Sequence, residues 1–331
     1  MNLVTGATGH IGNVLVRQLL ERGEKVRALI WRGEDTTPLA GMPVEKVEGD
    51  VLDLESLAAA MHGADRVFHL AGVITIMPGR NEMVHRVNVE GTLNVLLASL
   101  QANVRRVLYT SSIHAITRAP HGVEINETLA FDSHNPAGAY DASKAEASLR
   151  VQAAARRGLD AVIVCPTGVI GPYDYRRSEI GQLVFDCVQQ RPQFYVDGAY
   201  DFVDVRDVAQ GMIAAAENGR AGETYILSGE RLPVKELIDH LWVSTGQRFS
   251  RIKVPFGLAR FASAFTPFYY HLAKVKPRFT TYSLDTLRSN AVISHAKATR
   301  ELGYHPRSLR ETIADTVHWF RTWKPEGTPN L

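Results

Sequence analysis

Thr5-Gly6-Ala7-Thr8-Gly9-His10-Ile11-Gly12 is the stretch from which the fold can be read. The apolar run before it, residues 2–4, reads as a short strand, and the pattern after it reads as a helix over 11–22. Its glycines recur at intervals of three and three. A chain that turns sharply from strand to helix, with its backbone close to a bound group, needs glycine at such points. The helix N-terminus that follows offers unpaired N–H groups and the positive end of its dipole, which suits an anion such as a pyrophosphate. The alternative is a tight strand-to-helix turn that binds nothing. The position at the start of a strand–helix–strand unit favours dinucleotide binding.

Outward from that loop, short apolar runs at 26–30, 44–47, 66–70, 107–109 and 161–165 alternate with helical patterns at 55–62, 82–103 and 137–157. Gly23, Gly63 and Gly158 close several of these helices. Such alternation predicts an α/β fold, a doubly wound parallel sheet of Rossmann type buried on both faces. We expect a dinucleotide-binding domain over 1–170, with 199–228 returning to it through a helix at 205–216 and a strand at 224–227. Residues 171–198 and 229–331, punctuated by Pro172, Pro192, Pro233, Pro255, Pro267, Pro277 and Pro306, form a smaller, discontinuous substrate domain.

Composition narrows the function. The 331 residues carry 37 Lys and Arg against 35 Asp and Glu, a formal net charge of +2, and 45% are apolar. A chain of this size buries a core without staples. Its basic doublets, such as Arg105-Arg106 and Arg176-Arg177, never extend into a run, so neither nucleic acid nor membrane is an expected partner. Cys165 and Cys187 cannot build a disulfide framework, and no Cys or His spacing reads as a metal site. A reducing cytoplasm fits, and no targeting segment or membrane span is expected.

Two more regions carry chemistry. Tyr140 and Lys144, in Tyr140-Asp141-Ala142-Ser143-Lys144, lie one helical turn apart on one face. A phenol of pKa ~10 is a poor base near neutrality, and a neighbouring ammonium favours its phenolate. The plain alternative is a surface Tyr/Lys pair. Thr110-Ser111-Ser112 ends the fifth strand, at the carboxyl edge where open α/β sheets bind ligands. A hydroxyl there can hydrogen-bond a substrate carbonyl. In Gly49-Asp50-Val51-Leu52-Asp53, we assign adenine binding to Asp50 and helix capping to Asp53.

In this order T-G-A-T-G-H-I-G, G-D-V-L-D, H-L-A-G, N-V-E-G-T-L-N-V-L, Y-T-S-S and Y-D-A-S-K resemble an extended short-chain dehydrogenase/reductase of the NAD-dependent epimerase/dehydratase family. The likeness covers nearly the whole chain, since the segments 165–172, 202–209 and 300–306 match later landmarks. It implies a nicotinamide cofactor, with Tyr140 as acid/base, Lys144 holding the nicotinamide ribose and tuning Tyr140, and Ser112 polarising the carbonyl. Asn88 matches the family's asparagine that holds a relay water, although before Gly91 it could simply accommodate a helix irregularity. The cofactor residues implied are Gly6, Thr8, Gly9, His10, Ile11, Gly12, Trp31, Arg32, Asp50, Val51, Leu70, Ala71, Gly72, Lys144, Pro166, Thr167, Gly168 and Val169.

Within the family the dihydroflavonol reductase and 3β-hydroxysteroid dehydrogenase-like group is most similar. Dehydratases carry acidic residues after the catalytic hydroxyl, whereas Ile113 and His114 follow Ser112. Sugar-nucleotide enzymes carry an arginine before Asp-Phe to meet the diphosphate, and this chain has Tyr200-Asp201-Phe202; Arg176 or Arg177 could compensate or simply be solvated. Ile74, Ile76, Met77, His114, Tyr173 and Tyr175 make a mostly apolar candidate pocket for a small or polycyclic carbonyl compound, unless they are ordinary filler. After the second strand there is no acid until Glu34, and Arg32 can meet a 2′-phosphate while Trp31 or Arg32 covers the adenine, so NADP is expected over NAD by roughly 1.5–3 kcal/mol unless Arg32 is merely solvated. The resemblance implies a homodimer packed through the helices at 82–103 and 137–157. A hydride-transferring oxidoreductase is the first expectation. A sugar epimerase on the same scaffold is the second, and a nucleotide sensor, which would not need Tyr140, Lys144 and Ser112, is the third.

Overall fold

The computed structural model describes residues 1–76, 79, 81–246, 249–263 and 280–323. Seven parallel strands form the main sheet: β1 (Asn2–Thr5), β2 (Val26–Ile30), β3 (Glu45–Glu48), β4 (Arg66–His69), β5 (Arg106–Thr110), β6 (Ala161–Pro166) and β10 (Thr224–Leu227). Their spatial order is β10-β6-β5-β4-β1-β2-β3, so the order reverses beside β1. A ligand crevice is expected at that switch point, beyond the carboxyl ends of the strands.

Alternate side chains of each strand enter opposite cores. Val4, Ala28, Phe68, Leu108 and Val162 face one layer with α1 (His10–Glu21) and α7 (Val205–Asn218). Leu3, Leu29, Val67, Val107 and Ile163 face the other, with α2 (Leu54–Met61), α4 (Gly91–Gln101) and α5 (Ala139–Arg156). Both layers exclude water, which is why the strands other than the exposed edge strand β3 read as largely apolar runs.

A third core belongs to the smaller part. It joins α6 (Glu179–Val188), α8 (Val234–Thr245) and the helix Leu309–Thr322 to a sheet of β7 (Gly168–Ile170), β9 (Ala199–Asp204) and β11 (Glu230–Pro233). A parallel pair, β8 (Gln193–Tyr195) with β12 (Arg251–Lys253), lies apart. Because β9 pairs with β7 and β11, the chain returns to the main sheet at Val205, not at residue 199.

The helix expected over 82–103 is interrupted. After α3 (Glu82–His85), a π-helical turn spans Arg86–Glu90 before α4 begins. Such a turn adds one residue to the helix and marks many functional sites.

Candidate active site

Gly6 adopts φ +68°, and a Cβ there would lie 2.8 Å from the Ala71 nitrogen, so β1 and β4 meet at a point only glycine allows. A Cβ on Gly12 would stand 2.1 Å from the Gly6 carbonyl oxygen. Gly9 is the N-cap of α1, has no side-chain cap, and would bring an added Cβ near only the Gly6 oxygen, at 3.2 Å. The loop is thus tightly closed on its inner side and open at the helix N-terminus. This cradle fits the diphosphate of a dinucleotide.

A buried chain of hydrogen bonds joins the loop to the π turn. Thr5 Oγ1 accepts from the Leu70 and Ala71 nitrogens at 3.2 and 3.1 Å and meets His69 Nδ1 at 2.8 Å. His69 Nε2 meets Thr92 Oγ1 at 3.0 Å, and that hydroxyl donates to the Asn88 carbonyl at 2.6 Å. With Thr5 already accepting twice and Thr92 already donating, the network assigns the proton to Nε2 of a neutral imidazole. Burial supports this by pushing His69 down to about 3, with the Lys144 charge acting the same way. Sequence reasoning quoted His69 within a motif and gave it no role.

Asn88 uses its whole amide. Oδ1 accepts from the Val73 nitrogen at 2.7 Å, and Nδ2 donates to the Val73 oxygen and to Ser143 Oγ, each at 3.0 Å. Ser143 in turn donates to the Tyr140 carbonyl at 2.8 Å. Asn88 both occupies the helix irregularity and clamps the strand-end segment to α5, the helix of Tyr140 and Lys144.

Tyr140, half-buried, is hydrogen-bonded to the side chain of Ser112. Ser112 Oγ also accepts from the His114 nitrogen at 3.2 Å, whereas Ser111 is engaged by Ser148 Oγ at 2.7 Å, so Ser112 is the serine presented to the site. Lys144 is buried and donates to the Thr110 carbonyl at 2.7 Å, with Nζ over the Tyr109 ring at 5.0 Å. Burial lowers its ammonium to about 8. Burial also pushes the Tyr140 phenol up to about 12, opposed by Ser112 and assisted by Asp141. The dominant influence on Tyr140 is therefore desolvation, while Lys144 gives one of its three N–H donors to the Thr110 carbonyl.

An aromatic wall stands beside Tyr140. Tyr200 Oη and His114 Nε2 are 2.6 Å apart, their rings stacked at 5.8 Å, and the Tyr282 ring lies 6.1 Å from His114. Tyr282 donates to Asp141 Oδ1 at 2.7 Å, and Arg118 lies 3.8 Å from the same fully buried carboxylate. Burial raises Asp141 to about 6 and lowers His114 to about 4, which leaves His114 a neutral imidazole bonded to the Tyr200 hydroxyl. Sequence reasoning missed Tyr282 and Asp141. It noted Tyr200 only as a missing arginine, although that absence was the available signal.

Other expected residues scatter. Asp50 Oδ1 accepts from the Leu52 nitrogen at 2.9 Å, while Asp53 caps α2 through the Glu55 nitrogen. Val51 is core, and its carbonyl accepts from Asn94. His10 meets the Pro172 carbonyl at 3.0 Å, and Ile11 packs on the first core. Pro166 ends β6; Thr167 donates to Asp201 at 2.6 Å; Gly168 lies under the Tyr200 ring, which an added Cβ would meet at 2.6 Å; Val169 packs on the first core. Exposed Gly72 lies near both Asn88 Oδ1 and Lys144 Nζ, which an added Cβ would approach to 3.2 and 3.4 Å. Leu70 and Ala71 flank it. Trp31 and Arg32 are exposed, and Arg32 has no ion pair among the described residues. Ile74 is exposed and Ile76 accepts from Thr280, while Met77 lies outside the described residues. Tyr173 and Tyr175 are engaged by Arg17 and Trp319. Arg17 lies over the Tyr173 ring at 4.5 Å and donates to Tyr175 Oη at 3.1 Å, and both rings pack on Trp319. Their polar tips and apolar bodies serve this packing against the helix Leu309–Thr322.

Comparison with known proteins agrees with this geometry. The model of the NAD dependent epimerase/dehydratase family matches residues 2–228, from β1 through β10. The chain belongs to this family. Among its relatives, sterol demethylase protein B of Methylococcus capsulatus is 37% identical over 323 residues, covering 96% of this chain and 98% of that protein. The 3 beta-hydroxysteroid dehydrogenase/Delta 5-->4-isomerase of Mycobacterium tuberculosis is 28% identical, with 98% and 92% covered. The crystal structure of gox2253 superposes with a TM-score of 0.84 at 33% identity, over 97% of this chain and 98% of that one. This extended short-chain dehydrogenase/reductase is therefore an oxidoreductase-type enzyme with a nicotinamide cofactor. Among the described residues, no helix is long and apolar enough to cross a membrane, and no group of three or more His, Cys, Asp or Glu could hold a metal.

Proposed function

We propose that this family member interconverts a secondary alcohol and a ketone on a lipophilic, polycyclic substrate of sterol-like shape. The observation that carries the reading is the His114–Tyr200 pair beside Tyr140. Where sugar-nucleotide enzymes of the family place an arginine for a diphosphate, this chain places a phenol already bonded to a neutral imidazole. A dianionic anchor would meet a neutral pair there, with the nearby Arg118 already facing the buried Asp141 carboxylate, whereas flat aromatic faces suit apolar rings. The names of the sterol demethylase and hydroxysteroid dehydrogenase relatives support the same class.

The nicotinamide, when bound, supplies or accepts the hydride. The chain's own residues handle the proton and the oxygen. Tyr140, a phenol that burial keeps protonated, donates to the carbonyl oxygen during reduction, and its phenolate takes the hydroxyl proton back during oxidation. Ser112, hydrogen-bonded to Tyr140, orients that oxygen. Lys144 holds the ribose, and Asn88 with Ser143 fixes α5 so that these groups stay in register.

A panel of hydroxysteroids, sterol ketones, simple ketones and sugar nucleotides, followed by nicotinamide absorbance and product analysis, tests the reading. We expect stoichiometric absorbance change with the polycyclic compounds. Interconversion of sugar nucleotides without net absorbance change would replace this reading with the epimerase.

A further inference from the structure

Asp141 is a charged residue that the chemistry above leaves without a task. It follows Tyr140 in the first turn of α5 and is fully buried. Its Oδ1 accepts from the Tyr282 hydroxyl at 2.7 Å, while its Oδ2 has no hydrogen-bond partner among the described residues and faces an Arg118 nitrogen at 3.8 Å. The helix dipole favours an anion in a first turn, but only modestly, whereas withdrawing a charge from water with one oxygen unbonded is costly. The needs of α5 alone therefore do not explain a carboxylate here. What it holds is the short helix Thr281–Leu287 from the C-terminal part of the chain. That helix is tied at its start, where Thr280 Oγ1 donates to the Ile76 carbonyl at 3.0 Å, and crowded at its end, where a Cβ on Gly198 would lie 2.5 Å from the Leu287 oxygen. Between these points the Tyr282 ring lies 6.1 Å from that of His114 and beside Gly138, where an added Cβ would meet it at 3.7 Å.

We propose that Asp141 is a positioning residue: through Tyr282 it fastens the aromatic wall to the helix that carries Tyr140, and so governs how tightly a flat, bulky ketone is held without sharing in proton transfer. The inference deepens the polycyclic-ketone reading and rests on it. Asp141 is covalently next to the proton donor and hydrogen-bonded to the wall, so it fixes the spacing between the two. As a carboxylate it is the stronger acceptor for the phenol and attracts Arg118, so the clasp is tightest when Asp141 is ionised. Burial raises Asp141 to about 6, opposed by the Tyr282 hydrogen bond and by Arg118. The titratable and charged groups around it are Tyr140 on α5, Tyr200 on β9, Tyr282 and Arg118; burial keeps the three phenols protonated, and His114, lowered to about 4, stays neutral above that. Asp201, also raised to about 6 by burial, is held apart from this group by Thr167 and the Gly229 nitrogen. The clasp therefore loosens as pH falls through about 6, when Asp141 takes up a proton.

Steady-state reduction of a ketosteroid and of cyclohexanone by the full chain with saturating nicotinamide cofactor, from pH 7 to pH 5, separates KM from kcat. In the wild type KM for the ketosteroid should rise about five- to tenfold toward pH 5, the difference between a charged and a neutral hydrogen bond, while KM for cyclohexanone, which lacks the further rings, stays within about twofold. Asp141→Asn, neutral at every pH, should hold the wild type's pH 5 value of the ketosteroid KM throughout, with kcat within about twofold. Tyr282→Phe, which keeps the ring and loses the donor, should raise the ketosteroid KM at pH 7 by about the same five- to tenfold factor. A ketosteroid KM that is flat with pH in the wild type or still varies in Asp141→Asn, or a loss that falls on kcat and not on KM in both variants, overturns this inference and leaves the polycyclic-ketone reading standing. Absence of any ketosteroid conversion by the wild type overturns that reading and this inference with it.

Discussion

Replacing Gly12 or Gly9 by alanine separates the two duties of the glycine loop. At Gly12 the new methyl would lie 2.1 Å from the Gly6 oxygen and 2.9 Å from Ala7 Cα. A comfortable carbon–oxygen contact is about 3.3 Å, so the loop or α1 must move by roughly 1 Å. Overpacking of this kind costs about 1–3 kcal/mol of stability. The same shift misaligns the helix N–H groups from an anion, and losing one charged hydrogen bond lowers affinity by about one to two orders of magnitude. At Gly9 the methyl meets only the Gly6 oxygen, at 3.2 Å, and the backbone is extended at φ −69°. Stability should then change by no more than about 1 kcal/mol. That methyl still occupies the open side of the cradle, so dinucleotide affinity should fall as much as in Gly12→Ala. Urea unfolding and fluorescence titration with dinucleotide read the two quantities separately. Wild-type stability in Gly12→Ala, or wild-type affinity in Gly9→Ala, would refute the account of this loop.

Two further expectations follow from packing and burial. Leu97 and Leu100 on α4 and Leu149 on α5 are exposed at 49%, 62% and 37%, an apolar face that we expect a second copy to cover. Light scattering at micromolar concentration should give twice the chain mass, and a single-chain mass would reject the homodimer. His69 should stay neutral from pH 8 to pH 5, because its folded-state value lies near 3 against an ordinary 6.5. Below pH 6.5 the unfolded chain takes up this proton first, so the residue withdraws up to ~1.4 kcal/mol of stability per pH unit until the folded ring titrates. Nitrogen-15 shifts of the ring check this directly, and a charged imidazole at pH 6 would break the assigned chain from Thr5 to Asn88.

Most of the main sheet was legible because strands covered on both faces must be apolar, the exposed edge strand β3, Glu-Lys-Val-Glu, being the exception. β2 and β10 occupy the ranges read from sequence, and β1, β4 and β5 differ only at their ends. The smaller sheet was not legible. β7 has three residues, too few for any periodicity, and β9 opens the stretch 199–228 that was expected to return to the large sheet, until its pairing with β7 and β11 places it elsewhere. Asn88 and Gly91 hinted at a helix irregularity, yet the π turn depends on Val73 and Ser143, which are distant in sequence.

Within the site, local spacing sufficed to place Tyr140 and Lys144 on one helix, and strand-edge position to place Ser112 just beyond β5. The aromatic wall defeats such reasoning, since His114, Asp141, Tyr200 and Tyr282 come from four separate segments. The contacts of Tyr173 and Tyr175 with Trp319, in the last described helix, were invisible for the same reason. Glu34 was visible as the first acid after β2, but only the fold turns it back onto Thr8.

The central claim is that Tyr140 transfers the proton that accompanies hydride transfer. Single-turnover measurement of Tyr140→Phe, with dinucleotide affinity determined on the same sample, tests it most directly. The variant retains the glycine cradle and Lys144, so affinity should stay within about twofold of the wild type, while the rate of nicotinamide conversion falls by at least ~100-fold. A phenylalanine variant that binds the dinucleotide and converts it at the wild-type rate would contradict the claim.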